Sequence, residues 1–224
     1  MARVIMVPGL AVRRYLQPAA DALRSAGHSV ALCPPLGWPA AGSDLDSYGR
    51  RIADQTWQYG PADMLVGMSV GTQGAVAAVR AGADVGRLLL ISPTIDPQRR
   101  SVPAMLAAWL GGEQHPDSPR LRTQSQDWVR AGLSGIYRGL RSAIDYPLER
   151  ELPQARQPVT IVHGDADRIS PLPYAADLAD RSGAELLIMP DAPHSWPVSD
   201  GDRFVELIST LTRSTRMISA ADAE

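Results

Sequence analysis

Lysine is absent from this chain. All 22 basic residues among its 224 are arginine, which excludes Schiff-base chemistry and a P-loop lysine. Cysteine is nearly absent as well. Cys33 alone rules out an intramolecular disulfide and a cysteine-based metal cluster, and it reads as a buried or incidental thiol. The four histidines are dispersed, with no His-x-x-x-His spacing, so neither a metal nor a cofactor is expected. Charge is nearly balanced at a formal −2, and the arginines form no basic stripe. Nucleic acid is therefore not an expected partner. No apolar run is long enough to cross a bilayer, and the apolar stretch at residues 1–7 is cut short by Pro8 and Gly9 before it can serve as a signal-peptide core. The expectation is a protein with no membrane partner that stays in the cytoplasm, its oligomeric state left open.

What is present is an alternation. Short apolar, β-branched runs at 3–7, 29–32, 64–67, 87–91, 159–163 and 185–189 read as strands. Amphipathic stretches at 15–25, 45–58, 70–81, 173–181 and 201–212 read as helices, punctuated by Gly, Pro or Asp. Strands and helices in this rhythm predict an α/β fold: a mostly parallel six-stranded sheet with helices on both faces, in one domain spanning 1–224. The rhythm breaks between about 93 and 157. There, 102–110 and 128–140 read as helices whose apolar faces carry Trp109, Leu110, Leu133, Ile136, Tyr137 and Leu140. An insertion at that point lies over the carboxyl ends of the strands and predicts a small helical lid, the alternative being ordinary crossover helices.

The chemistry concentrates where the third strand meets the third helix. Gly67-Met68-Ser69-Val70-Gly71 places a serine in the tight turn between an apolar strand and a small-residue helix, so that its hydroxyl stands above the sheet. Side chains at Gly67 or Gly71 would collide across such a turn. The following helix aims its amino end at the reacting centre, making the Val70 amide one oxyanion donor. The loop after the first strand supplies the second, for which the Leu10 amide is favoured. A dinucleotide site is excluded, because Ser69 and Thr72 stand where Gly-x-Gly-x-x-Gly needs glycines.

With these residues in place, the chain resembles the α/β-hydrolase superfamily, whose catalytic residues run nucleophile, acid, histidine along the sequence. His163-Gly164-Asp165-Ala166-Asp167 follows the fifth strand, and Asp167 matches the family's acid position. Pro193-His194-Ser195-Trp196 follows the sixth, and His194 matches the family's histidine. Two departures stand out. The oxyanion loop carries Pro8-Gly9 where members commonly have His-Gly, and the chain opens at the strand before that loop, so the resemblance implies a sheet trimmed at its N-terminus.

The resemblance implies a serine hydrolase of the esterase or thioesterase kind. Ser69 would be the nucleophile, His194 the general base and Asp167 the carboxylate that orients it, with a small-molecule ester or thioester as substrate. An aspartate nucleophile is excluded by Ser69 itself. Asp165 and Asp191 lie in the same loops and compete for the acid role. His163 competes for the base, although the end of a buried strand suits a local hydrogen bond better. His28 and His115 have no motif context. Trp109 and Trp196 are candidates for lining an apolar acyl pocket, against the alternative that both are core. The same groups could serve a lyase, an acyl transferase or a cyclase, and the fold could equally carry a non-catalytic ligand-binding module.

Overall fold

The computed structural model describes residues 1–112 and 121–221, so His115 and the 113–120 part of the expected insertion lie outside the described residues. Its centre is a six-stranded sheet. Strands β1 (Arg3–Val7), β2 (Ser29–Leu32), β3 (Met64–Met68), β4 (Leu88–Ile91), β5 (Val159–Gly164) and β6 (Glu185–Met189) lie in the order β2-β1-β3-β4-β5-β6. Every neighbouring pair is parallel. All six predicted strands are found, with β3 and β5 each one residue longer and β4 one residue shorter.

The two central strands, β3 and β4, are apolar at every position because both of their faces are covered. Side chains alternate between the two layers. Ile5, Val7, Leu65, Leu88 and Leu90 enter one core, while Val4, Met6, Val66, Leu89 and Ile91 enter the other. The first core lies under α2 (Leu45–Tyr59), α3 (Gly71–Arg80) and α7 (Leu172–Ser182). The second lies under α1 (Gln17–Ser25) and α9 (Gly201–Ala221).

Local chemistry sets the helix ends. Pro18 occupies the first turn of α1, where its missing N–H costs nothing, so the predicted 15–25 helix begins instead as a 3-10 turn at Arg14–Leu16. The Asp44 carboxylate caps α2 by accepting from the Ser47 amide at 2.8 Å. Gly183, at φ 66°, closes α7 in the left-handed conformation. Helices α2 and α3 pack so closely that a Cβ on Gly49 would sit 2.6 Å from the Ala77 carbonyl carbon.

Between β4 and β5 run α4 (Val102–Gly112), α5 (Leu121–Asp145) and α6 (Leu148–Glu151), with no strand among the described residues of the insertion. Helix α5 is broken at Gly132, whose φ of 68° and ψ of 158° are not helical. One more short helix, α8 (Trp196–Ser199), precedes α9. The chain leaves β1 toward β2 and then returns to β3 on the other side. The crevice beyond the carboxyl ends of β1 and β3 is thus the topological switch point, where open α/β sheets bind ligands.

Candidate active site

Ser69 sits at this switch point with φ of 55°, in a region that costs a non-glycine residue about 1–3 kcal/mol. The surrounding hydrogen bonds hold it there. Its amide donates to the Ile91 carbonyl at 3.0 Å, and its carbonyl accepts from the Thr72 amide at 2.9 Å and the Thr72 hydroxyl at 2.6 Å. A Cβ on Gly67 would lie 2.6 Å from the Gly71 carbonyl oxygen, and one on Gly71 would lie 2.6 Å from that of Pro8. Both glycines of the motif are therefore required sterically.

The loop after β1 closes the other side. The Gly9 amide donates to the Tyr15 hydroxyl at 3.2 Å, and the Ala11 amide, with φ of 57° at that residue, donates to the Leu36 carbonyl at 2.9 Å. Between these anchors the Leu10 amide makes no protein hydrogen bond among the described residues. Neither does the Val70 amide at the amino end of α3. Leu10, Ser69 and Val70 all line one cavity.

His194 lines the same cavity and is oriented from behind. Its Nδ1 lies 2.8 Å from Asp167 Oδ2. A carboxylate can only accept, so Nδ1 donates, and in the neutral imidazole the lone pair is then on Nε2. No hydrogen bond joins Ser69 to His194 among the described residues; such contacts commonly tighten only with substrate bound. The Asp167 side chain is fully buried, and its Oδ1 accepts from the amides of Ile169 and Ser170 at 2.8 and 2.9 Å. Burial alone would raise its pKa, but His194, the Ser170 amide and His163 outweigh that effect and hold it below the ordinary carboxylate range. The two loops are laced together, with the Ala166 amide donating to the Ala192 carbonyl at 3.1 Å. Asp165 and Asp191 are exposed and do not compete for the imidazole.

His163 takes a different part. Its Nε2 lies 3.1 Å from the Ser170 carbonyl oxygen and therefore donates to it, while its separation from Asp167 Oδ2, 3.8 Å, is too long for a hydrogen bond. Burial lowers its pKa against the pull of Asp167. It is a neutral strut under the acid loop. Cys33 is buried, and burial pushes its thiol up to about 12.

The cavity measures about 340 Å³. Trp109 of α4 and Trp128, Ile136 and Leu140 of α5 form its far wall, and the two tryptophan rings meet edge to face at 5.4 Å. Among its described lining residues none is Asp, Glu or Arg. Trp196, the other aromatic candidate, is not part of it. Helix α8 begins at Trp196 and turns its ring back into the sheet core, 1% exposed and edge-on to Phe204, so that Ser195 reaches the cavity instead. Tyr15, Thr94, Gln124, Trp128 and Ser195 also line it without having been singled out in the sequence; only Trp128, at the start of a predicted apolar helix, carried a signal.

A family model for the alpha/beta hydrolase family matches residues 4–207. The chain belongs to that family. No curated protein is a significant match. Among solved structures, an esterase from Exiguobacterium antarcticum superposes with a TM-score of 0.77 at 17% identity, covering 95% of this chain and 92% of that one. Est816, described as an N-acyl homoserine lactone degrading enzyme, gives 0.76 at 16% identity over 94% and 93%. A bromoperoxidase from Bacillus anthracis gives 0.71 at 14% identity over 95% and 92%. At these identities the likeness is one of fold. The alpha/beta hydrolase fold thus brings Leu10, Ser69, Val70, Asp167 and His194 to one sheet edge, Trp109 to the wall opposite, and leaves Trp196 in the core.

Proposed function

We propose that this member of the alpha/beta hydrolase family is a serine hydrolase that cleaves a small carboxylic ester or thioester through an acyl-enzyme on Ser69. The observation that carries the reading is the 2.8 Å contact of His194 Nδ1 with the buried Asp167, which leaves Nε2 as the base in the cavity that Ser69 shares. In the first half-reaction Nε2 takes the Ser69 proton as Oγ attacks the carbonyl carbon, and the amides of Leu10 and Val70 hold the oxyanion. The imidazolium then gives its proton to the leaving alcohol or thiol. A water molecule, deprotonated by the same nitrogen, releases the acid and regenerates the serine. Asp167 fixes the tautomer throughout. An uncharged wall containing Trp109 supports an apolar acyl group as the part of the substrate that enters the cavity, with α4 and α5 acting as its lid.

Fluorophosphonate labelling with peptide mapping tests the nucleophile. The label is expected on Ser69, and Ser69→Ala is expected to lower turnover of a short-chain nitrophenyl ester by about 10⁶. Well-folded native protein that takes up no label would overturn the reading and favour a binding module. A similar structure described as a bromoperoxidase shows why the product also has to be followed. Label from isotopic water in the released acid marks hydrolysis, and its absence marks acyl transfer or a lyase.

A further inference from the structure

The outer surface of the α4–α5 insertion departs from what its sequence predicts. Trp109, Ile136 and Leu140 turn inward to the cavity, but Leu110, Leu133 and Tyr137 turn outward. On α5, Ile136 and Leu140 form one flank of a single apolar stripe and Leu133 and Tyr137 the other, so the cavity takes one flank and solvent the other. Val129 and Leu133, on either side of the break in α5 at Gly132, are 83% and 87% exposed; Leu106, Leu110 and Tyr137 are each more than half exposed. Five large exposed apolar side chains on two adjoining helices are unusual on a free surface.

Among the described residues, the exposed charges on α4 and on α5 as far as Arg141 are all arginine. Helix α4 has no charged residue at all. On α5, Arg122, Arg130 and Arg138 are exposed. Arg130 lies over the Trp38 ring at 4.2 Å and Arg138 donates to the Ser43 hydroxyl at 3.2 Å, partners that leave both charges in place. Of the acids on α5, Asp127 is buried against the Arg13 and Arg14 amides, and Asp145 pairs with Arg141 at the far end.

We infer that this face docks on the surface of an anionic phospholipid bilayer, with Val129, Leu133 and Tyr137 entering the headgroup boundary and the arginines meeting the phosphates. Apolar insertion combined with basic flanks is what interfacial adsorption requires. A second copy of the chain fits less well, since it would set arginines against arginines. No described helix is long and apolar enough to cross a membrane, and peripheral docking needs none. Leu106 belongs both to this face and to the cavity lining, so the mouth opens beside the docked surface. The inference does not depend on Ser69 being a nucleophile.

Sedimentation of the full chain with vesicles tests it, using phosphatidylcholine alone and equal parts phosphatidylcholine and phosphatidylglycerol. The chain is expected to pellet with the anionic vesicles and far less with the neutral ones. Arg138→Gln is expected to weaken the binding about fivefold. The pair Val129→Glu and Leu133→Glu, both at solvent-exposed sites, is expected to abolish it with an unchanged circular dichroism spectrum. Failure of the native chain to pellet with either vesicle overturns the inference. So does equal binding to both vesicles, or binding that survives the glutamate pair. A concentration-dependent dimer that the same pair dissolves, with no vesicle binding, would assign the face to a second copy instead.

Discussion

Asp167 shows how much one side chain can be asked to do. It accepts from two amides on one oxygen and faces His194 with the other, with no solvent to share the charge. Asp167→Asn keeps the shape but can present an amide N–H to Nδ1, which selects the wrong tautomer. Turnover is expected to fall by about 10⁴ with KM little changed; steady-state kinetics on a nitrophenyl ester check it, and a loss confined to KM would remove Asp167 from the acid role. The order of the three loops makes this residue legible in the sequence. What the sequence left open, Asp165 or Asp191 against Asp167, differs in burial, which no local motif encodes: Asp167 alone of the three is buried beside His194.

His163 makes a prediction about acid. Its pKa is lowered by burial, so below its unfolded value of about 6.5 the unfolded chain binds a proton that the native imidazole refuses. Stability therefore falls as pH drops from about 7 toward 5, and continues to fall until the lower native value is passed. Asp167, whose native pKa is also depressed, contributes stability that is lost only further down, as pH falls below about 4. His163→Gln, which can still donate to Ser170, is expected to flatten the decline in urea midpoint between about pH 7 and 5. Equal slopes in the two proteins would show that another group sets the acid response.

At the scale of elements, the strands and sheet-packing helices were readable because each is short and has one period. The insertion was not. Its helices were foreseen, but the break at Gly132 divides α5 into two segments, and glycine in a helical pattern does not say which way the chain will turn. What positions α5 is Asp127, 2% exposed in its side chain, whose Oδ2 accepts from the Arg13 and Arg14 amides at 2.7 and 2.8 Å. The Trp38 indole adds a bond to the Asp127 carbonyl at 3.1 Å and another to that of Ala11 at 3.3 Å, so the helix is tied directly to the loop carrying Leu10. Replacing Asp127 by alanine leaves two partly buried amides without that acceptor. A cost of about 2–4 kcal/mol is expected, on the scale of two such orphaned groups. Urea unfolding measures it, and a change below about 0.5 kcal/mol, the range of ordinary surface substitutions, would mean that the insertion is held elsewhere.

Over the whole molecule, the sheet is the shared wall of two cores. That was legible from the sequence, because strands apolar at every position must be covered on both sides. The fate of Trp196 was not, since it depends on the turn of α8 against the sheet rather than on any pattern in the chain. Each central strand sends alternate residues into opposite layers, so losing one layer strips one face from the strands that carry the other. The two cores are therefore expected to unfold together. Ile52 on α2 and Ile208 on α9 are both buried and occupy different cores with no shared cluster. Ile52→Val and Ile208→Val should each cost about 0.5–1.5 kcal/mol, and in the double variant the costs should add to within about 0.5 kcal/mol. Fluorescence and circular dichroism transitions should coincide in all four proteins, with the denaturant slope unchanged. Two separated transitions in either single variant would show that the layers can melt independently, and that the sheet does not couple them.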